Sequence, residues 1–533
     1  MAALGRLARW LHDRDGPAWS RFAERDAKDD GQRQVLELAK ALGMVIEDGA
    51  RLRFAHQLWQ EYFAACSLAQ TGQDEPWPDK LRAEPQPIDT TAWQLPSAKA
   101  CDWDQCAQLA VQIVDDPAPL LDHLIGVNPA LAGRALHSRG DDGKVSPALR
   151  SAIKHALLAR SSDPDQLLPE RIEAAEWLGH LGDDLRYEQA QRAGAAPCWL
   201  PRQTLPDGLP GWVPVPSGKA KIGYDKAAVT VTIQSDLQLA FAPVTVAEFK
   251  CFVEDGGYGT GGSDPPPWWV GAAAQKWWRE GLPNEGRRTF WNRQRDLWRA
   301  DDGRVQPQET AAWLLSYSEK DFADIRCRWL DSGDADFKVA LVDECKAVIC
   351  REPDFWGDLR FTNPLQPVIG LSVFETEAYC RWLSLQVGGR AFRLPTEAEW
   401  QVASGCIDRM NWPWSLATDE DPDPYTRMNF FETKARRTTP VAVFPAGRSA
   451  LGLYDLSGQV FEWMANAWQP APDATSLQAL ADPRDVATLR AVRGGSWSND
   501  TDYCLPAFAF WYFPDDRSDL LGFRLLSCPI LGS

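Results

Sequence analysis

The sequence predicts an α-helical N-terminal region followed by a C-terminal domain of α+β structure. Up to about residue 195, apolar residues recur with the spacing of helices, whereas from Trp212 onward short apolar runs alternate with turns rich in Gly, Pro and aromatic residues. A proline-rich stretch, APCWLPRQTLPDGLPGW at 196–212, separates the two regions. Because Pro interrupts helices and central strands, we place the boundary there and assign 205–533 to the second domain.

Residues 1–70 are predicted to form a small helical or winged-helix module that contains a hairpin. Two short apolar runs flank Glu47-Asp48-Gly49, and an Asp-Gly turn in this setting is a hairpin signal. The helices on either side carry apolar stripes at helical spacing. The stripes are Val35, Leu38, Ala39 and Leu42 in the first helix, and Leu58, Tyr62, Ala65 and Leu68 in the second.

The segment FAHQLWQEYFAA, from Phe54 to Ala65, resembles the part that closes the nucleotide-binding module of NACHT-type signalling NTPases. The resemblance implies a remnant of such a module, and the partners of this helical region would be signalling or effector proteins. The chain has no GxxxxGK[ST] motif, the loop whose backbone amides and Lys hold nucleotide phosphates. ATP hydrolysis is therefore not expected.

The next two segments differ in composition. Residues 71–100 are rich in Pro, Asp and Gln, which is typical of a linker. Residues 101–195 contain several helical patterns, and one of them, RIEAAEWLGHLGDD, resembles a helix of a HEAT-type repeat. Because no regular period runs through this region, an α-helical, HEAT-like spacer is favoured over a binding solenoid.

Composition excludes several classes of function. The 533 residues include 74 acidic and 56 basic side chains, giving a formal net charge of −18 without a stripe of Lys and Arg, so nucleic-acid binding is not expected. No run of about 18 or more apolar residues is present, so no membrane-spanning helix is expected. The twelve Cys include no CxxC pair and the N-terminus lacks a secretory signal, which together predict a cytoplasmic protein with reduced thiols.

The second domain contains an ordered series of motifs. They are WVPVPSGKAKIG (212–223), PVTVAEFKCFVEDGGY (243–258), DFWGDLRFTNPLQPVIGLSVFETEAYCRWLS (354–384), RLPTEAEWQVASG (393–405), TPVAVFPAGRSALGLYDLSGQVFEWMANAW (439–468), VRGGSWSND (492–500) and LGFRLL (521–526). In this order they resemble the formylglycine-generating enzyme/sulfatase-modifying-factor family, a variant of the C-type lectin fold. The resemblance implies a C-type lectin-like fold for 205–533, in which the Trp-rich, charged segment 259–350 is an insertion.

The same resemblance implies a copper site, but one ligand is missing. Oxidases of the family hold copper with two Cys spaced Cys-x4-Cys after a Gly-Gly-Ser motif. Here Asn499 stands at the first position and Cys504 at the second. An amide cannot replace a thiolate on soft Cu(I), so no copper is expected. Iron-dependent relatives use His ligands, and the last His of this chain is His180. We therefore predict that the chain is not an enzyme, and keep a copper-dependent oxidase as an alternative.

A calcium loop is also implied by the family resemblance. Its ligands would be Asp455, Gly458, Val460 and Glu462. Two carboxylates with backbone carbonyls suit the hard Ca²⁺ ion, so a structural calcium is predicted. In the alternative interpretation, Asp455 caps a turn and Glu462 pairs with a nearby Arg.

The stretch 497–521, WSNDTDYCLPAFAFWYFPDDRSDLL, has an unusual composition. Many family members without catalytic Cys have Asn at many of these positions, around fixed points that are here Cys504, Ala507, Pro514-Asp515 and Arg517. Changing only the adenines of the Asn codons AAC and AAT gives Ser, Asp, Tyr, Phe and Leu, the set found here. This pattern resembles the variable proteins of diversity-generating retroelements, and we call 497–521 the variable region.

The variable region is predicted to bind a ligand. The candidate residues are Ser498, Asn499, Asp500, Asp502, Tyr503, Leu505, Phe508, Phe510, Trp511, Tyr512, Phe513, Asp516, Ser518, Asp519 and Leu520. Aromatic side chains give large, rigid contact areas, and Ser, Asn and Asp add adaptable hydrogen bonds, as in antibody loops. The alternative is that the aromatics alternate into the core.

The predicted function is that of a ligand-binding receptor. Its diversified site would recognise variable protein ligands in sensing or defence. A structural scaffold without a variable ligand remains a further alternative.

Overall fold

The computed structural model describes residues 2–15, 21–22, 30–48, 51–70, 77–83, 92–222, 228–259, 262–299, 323–406, 412–414, 423–482 and 488–530. The chain divides into two compact units. The first contains Met1–Ala92 and Pro96–Asp183, and the second contains Trp93–Leu95 and Asp184–Ser533. Parts of the predicted linker (71–76 and 84–91) and of the predicted insertion (260–261 and 300–322) lie outside the described residues.

The first unit is helical apart from one hairpin. Its helices are α1 (Ala2–Asp15), α2 (Asp30–Ala41), α3 (Gln57–Ala69), α4 (Asp104–Ile113), α5 (Ala118–Val127), α6 (Pro129–Arg139), α7 (Pro147–Ser161) and α8 (Leu168–Leu181), with a 3₁₀ turn at Asp79–Leu81. The predicted hairpin is present as the antiparallel pair β1 (Val45–Asp48) and β2 (Arg51–Phe54). Its turn, at 49–50, is not among the described residues.

Both apolar stripes predicted for 1–70 are partly wrong. In α2 the buried residues are Leu36 and Ala39, and Leu38 is exposed. In α3, Leu58 and Tyr62 are exposed while Phe63 is buried. The reason is that α3 packs against both α1 and α4, so its buried face is wider than one stripe and is rotated from the predicted one.

Helix α6 lies at the centre of α4–α8. It contacts each of the other four helices, and most of its residues are buried. A Cβ at Gly133 would lie 3.0 Å from a Leu157 methyl and 3.1 Å from the Trp177 Cβ, so the absence of a side chain permits this close packing. Asn128 accepts the Leu131 amide and caps the helix.

The second unit combines two four-stranded sheets with helices. One sheet has the order β12-β11-β10-β13 and the other β5-β8-β14-β9, while β3-β4 and β6-β7 form separate pairs. The strands are β3 (Tyr187–Ala190), β4 (Cys198–Pro201), β5 (Trp212–Pro214), β6 (Gly218–Ile222), β7 (Val229–Ile233), β8 (Gln238–Ala240), β9 (Arg390–Arg393), β10 (Phe461–Ala467), β11 (Arg490–Arg493), β12 (Ala509–Tyr512), β13 (Leu521–Gly522) and β14 (Leu526–Pro529).

The helices of this unit are α9 (Val246–Glu254), α10 (Ala272–Glu280), α11 (Glu285–Arg299), α12 (Asp334–Glu344), α13 (Val373–Val387) and α14 (Glu397–Ser404). A π-helical turn at Arg326–Leu330 and 3₁₀ turns at Pro424–Thr426, Phe431–Thr433 and Pro445–Gly447 complete the unit. Apolar residues at helical spacing predict helices over Thr245–Glu254 and Phe374–Gln386, and α9 and α13 occur there. Their aromatic faces meet in the core, where the rings of Phe249 and Tyr379 stack at 5.2 Å.

The first part of the insertion belongs to the main core. Trp269 and Trp277 stack at 5.3 Å, and the indole N–H of Trp278 donates to the Tyr258 carbonyl at 2.7 Å. Further along, Trp291 and Trp329 stack at 4.3 Å in a small separate cluster. Much of the Trp content is therefore used for packing in this part of the chain.

The helical first unit and the mixed second unit agree with the predicted fold class. Within the described ranges, every helix is too short or too polar to cross a bilayer. A cytoplasmic location and the predicted domain boundaries stay predictions.

Candidate ligand-binding site

The variable region forms a loop, an edge strand and a second loop. The strand is β12, which pairs antiparallel with β11 so that Phe510 lies opposite Val492 and Tyr512 opposite Arg490. Since β12 is the outermost strand of its sheet, its flanking loops lie beside the sheet edge.

Burial separates the fixed points from the candidate positions. Cys504, Pro514, Asp515 and Arg517 are buried, and Ala507 is half-buried. Every candidate position except Asp516 is half-buried or exposed. The side chains that differ from the family pattern are thus largely those that reach solvent.

The aromatics of β12 divide between the two faces of the strand. Phe510 and Tyr512 pack on Phe461, with ring centroids 5.9 and 6.1 Å away. Trp511 lies on the opposite face, 5.9 Å from Trp468. The alternation considered from the sequence is therefore real, although each of the three rings stays partly exposed.

A group of three rings lies at the start of β12, and we call Tyr503, Phe508 and Phe510 the aromatic patch. Tyr503 meets Phe508 edge-on at 4.9 Å, while Phe508 and Phe510 are nearly parallel at 6.3 Å. Tyr503 is exposed, with 38% of its surface accessible. Phe513 follows the strand and meets Trp511 edge-on at 6.0 Å. Partly exposed aromatic clusters of this kind are typical of binding surfaces.

A buried ion pair holds the first loop. Arg493 at the end of β11 pairs with Glu397, with an N–O distance of 2.6 Å. The same guanidinium donates to the carbonyls of Pro506 and Ala507 at 3.0 and 3.1 Å. Because both charged groups are buried, this pair fixes the backbone just before the aromatic strand.

A second buried cation holds the other loop. Arg517 pairs with Glu375 at 3.1 Å and with Asp354 at 2.6 Å. Tyr258 donates its hydroxyl to Glu375 at 2.6 Å, so the carboxylate has several donors. In addition, the indole N–H of Trp497 donates to the Asp519 carbonyl at 3.1 Å. The two ends of the variable region are thus tied to the scaffold.

Asp516 is buried, unlike the other candidate residues. Its carboxylate accepts the Phe513 amide at 2.9 Å and lies against Gly286 near the start of α11, where an added Cβ would overlap it. Burial, and then the neighbouring Asp515 charge, raise the pKa of Asp516 to about 8. This residue connects the variable region to the insertion instead of facing solvent.

The remaining candidate positions are polar or aliphatic. The Asn499 side chain accepts the Ser496 hydroxyl at 2.5 Å, and its carbonyl accepts the Phe431 amide at 2.9 Å. Asp500 and Asp502 are exposed. The half-buried members are Ser498, Leu505, Ser518, Asp519 and Leu520, and Leu520 also packs on the core.

The residues at the implied copper position do not fit copper. Cys504 is fully buried and packs with Met428 and Phe430. Burial raises the pKa of this thiol well above its ordinary value, which keeps it protonated. Asn499 supplies an amide where a second thiolate is needed, so the donor set lacks the two soft ligands of a Cu(I) site.

In the implied calcium loop, both carboxylates already have partners within the protein. The Glu462 carboxylate is bound by the Arg524 guanidinium, with the closest N–O distance 2.7 Å, and accepts the Trp400 indole N–H at 2.8 Å. Asp455 accepts the Ala442 amide at 2.8 Å. Arg524 further donates to the Tyr454 carbonyl at 2.7 Å.

A guanidinium thus already supplies the positive charge in this loop, as in the alternative interpretation, and the residues do not fit Ca²⁺ as arranged. The backbone at Gly458 has φ +71°, which gives the loop its shape, and Val460 is buried. Across the ranges that the structure covers, no group of three or more His, Cys, Asp or Glu is placed to hold a metal.

The sheets, the motif order and the anchored loop together define the class of protein. Residues 200–528 match the family described as the sulfatase-modifying factor enzyme 1-like domain. Since this match covers more than half of the chain, the protein belongs to this family. The match does not include 1–70, so the NACHT-type resemblance stays a prediction.

Two curated relatives are named as enzymes. The chain is 30% identical over 242 residues to a hercynine oxygenase of Mycolicibacterium thermoresistibile, covering 42% of this chain and 49% of that protein. It is 30% identical over 197 residues to a formylglycine-generating enzyme of Thermomonospora curvata, covering 34% of this chain and 61% of that protein. The chain spans about half the length of the first of these relatives.

These names contradict the prediction that the chain is not an enzyme. That prediction rested on the missing Cys at position 499 and on the absence of His after 180. The similarity to proteins with two different enzyme names contradicts that inference. A missing ligand for one metal does not exclude catalysis by other residues.

Among solved structures, the chain is similar to Treponema denticola variable protein 1. The sequence identity is 16% and the TM-score is 0.33, with 64% of this chain and 99% of that chain covered. This TM-score is too low to transfer the fold or the role of that protein to this chain.

Proposed function

We propose that the C-terminal domain binds a protein ligand through the aromatic patch and the neighbouring surface positions of the variable region, in a sensing or defence role. The observation that carries the proposal is the separation by burial. Residues that match the fixed family pattern are largely buried, while the others, apart from Asp516, reach solvent. Arg493 and Arg517 anchor both loops, so surface side chains can change while the backbone is held.

We also propose that a retroelement diversifies the variable region, and this proposal makes a genetic prediction. We expect the DNA near the gene to contain a near-copy of codons 490–525 that differs only at adenines, beside a reverse transcriptase gene. Sequencing the flanking DNA tests this directly. If no such copy exists, the proposal that a retroelement diversifies the site is wrong. Ligand binding at the site is tested separately.

Binding is tested with the variant Tyr503→Ala/Phe508→Ala. Both rings are partly exposed, so their removal should leave the fold intact. A random peptide library displayed on phage is selected against the full chain, and the enriched peptides are compared on both proteins. We expect the affinity for these peptides to fall at least about tenfold in the variant, because aromatic residues at the centre of an interface contribute much of the binding free energy. Equal binding would refute the site.

For the first unit we propose a partner role, in which signalling or effector proteins bind the helical region. This follows from the NACHT-type resemblance of Phe54–Ala65. Co-purification of defined effector candidates with a chain lacking 1–70 and with the full chain tests it, and equal recovery would refute it.

A second candidate function is an enzymatic one, favoured by the identity to proteins named hercynine oxygenase and formylglycine-generating enzyme. Oxygen consumption by the full chain, measured with a Cys-containing peptide and with either copper or iron supplied, tests this candidate. Turnover above that of the metal alone would support it.

A further inference from the structure

The variable region combines exposed aromatic rings with unpaired negative charge. Asp500 and Asp502 are exposed in the turn that leads into Tyr503, and among the described residues the Asp500 carboxylate accepts a hydrogen bond only from the Asp502 amide. In the described part of the chain, neither carboxylate forms an ion pair with a Lys or Arg. Tyr503 in turn contacts Phe508, so acidic and aromatic groups share one surface.

A third carboxylate adds to this charge. Glu432 is half-buried, and its buried Oε2 accepts no hydrogen bond from the residues that the structure describes. Burial raises the pKa of Glu432 and the nearby Asp500 charge adds to this, while a backbone hydrogen bond and the Arg436 charge act in the opposite direction. Glu432 and Asp500 therefore repel one another, and a cation that reached both carboxylates would relieve the repulsion.

A nearby cation, Arg436, is held mainly by other groups. The Arg436 guanidinium lies between the rings of Trp93 and Phe431, 4.1 and 4.3 Å from their centroids. It donates to the backbone carbonyls of the same two residues. Arg436 therefore acts on Glu432 only through its charge, and among the described residues it forms no ion-pair contact with either carboxylate.

We infer that the ligand presents Lys or Arg side chains to this surface, so that the partner is a basic segment of a protein. This inference rests on the proposed function. Carboxylates at the edge of aromatic rings attract a cation through charge-assisted hydrogen bonds, while the ring faces bind it through cation–π contacts. The formal net charge of −18 would also steer a basic partner towards the chain.

The test extends the peptide selection with matched variants of the full chain. Asp500→Asn/Asp502→Asn removes two charges without changing side-chain size. Asp264→Asn/Glu280→Gln removes two exposed charges in the insertion and serves as the control for net charge. Tyr503→Ala/Phe508→Ala removes aromatic contact, and circular dichroism checks that all three variants fold.

We expect peptides enriched on the native chain to be rich in Lys and Arg, and their affinity to fall at least about tenfold on Asp500→Asn/Asp502→Asn. The control variant should bind them as the native chain does. If peptides need the aromatic rings but are neutral or acidic, or bind both charge variants equally, the basic partner is wrong and the proposed site stands. If no enriched peptide depends on the aromatic rings, the proposed site itself fails.

Discussion

The Arg493 guanidinium and the Glu397 carboxylate form a buried ion pair beneath the first loop of the variable region, 2.6 Å apart. One end of this pair is fixed by Asn466, whose amide donates to Glu397 at 2.8 Å, and the other by the carbonyls of Pro506 and Ala507. The loop conformation therefore depends on a charge that none of the candidate ligand-binding residues carries.

We expect Arg493→Met to lower the free energy of unfolding by about 3–5 kcal/mol, because it leaves Glu397 buried without its partner. Urea denaturation followed by Trp fluorescence measures this. Lys250→Ala, which breaks an exposed pair with Glu254, is the control and should change stability by less than about 1 kcal/mol. Equal effects in both variants would show that the buried pair has no special role.

Gly495 is expected to tolerate no side chain. Its φ is +73°, and a Cβ would lie 2.7 Å from the Cys504 sulfur and 2.8 Å from the Cys504 Cα. Gly495→Ala should destabilise the chain by about 3 kcal/mol or more, since both strain and overlap act. Gly389, with φ +75° and open space around it, is the matched control, and Gly389→Ala should cost about 1 kcal/mol.

Asp516 gives a prediction about pH. Its pKa is raised to about 8 in the folded chain, mainly by burial, whereas an unfolded Asp ionises near pH 4. The folded state therefore binds the proton more tightly, and this group's contribution to stability declines as the pH rises from about 4 to about 8. Asp516→Asn should be more stable than the native chain at pH 8, with the difference shrinking towards pH 4.

Thermal unfolding of the two proteins across this range measures the effect. Asp473 is an opposite control, because its hydrogen bonds with Ser476 lower its pKa. Asp473→Asn should show no gain at pH 8. A difference in unfolding temperature between Asp516→Asn and the native chain that stays constant at all pH values would contradict the raised pKa of Asp516.

Calcium should not stabilise the native chain, because Arg524 occupies the Glu462 carboxylate. We expect equal unfolding temperatures in calcium and in EDTA. Arg524→Met should lose about 3–5 kcal/mol by leaving Glu462 unpaired, and added calcium should restore part of that loss if the loop can then hold the ion. An increase in the unfolding temperature of the native chain with calcium would restore the original calcium prediction.

Local patterns predicted two helices of the second unit well. Apolar spacing indicated α9 and α13, and each begins at a capping box that can be read in the sequence, Thr245 with Glu248 and Ser372 with Glu375. Helices α2 and α3 were predicted, but their buried faces were not, since these depend on which neighbours pack against them. A stripe on one helix carries no information about a partner elsewhere in the chain.

The site shows the same limit. The composition of 497–521 predicts a candidate binding site there, yet the pairing of Glu462 with Arg524 joins residues 62 positions apart and has no local signal. Likewise, the contact of Asp516 with Gly286 brings the insertion to the variable region, which no motif indicates. Long-range ion pairs and close backbone approaches arise from the assembled fold.

The division between buried anchors and surface positions has a consequence for mutational robustness. Replacing a solvent-facing side chain usually changes stability by about 0.5 kcal/mol or less, so many such replacements can accumulate without unfolding the chain. Asp516, Phe510, Tyr512 and Leu520 are the exceptions, since Asp516 is buried and the other three pack on the core. The replacements that this surface can accept are therefore limited mainly by those four positions.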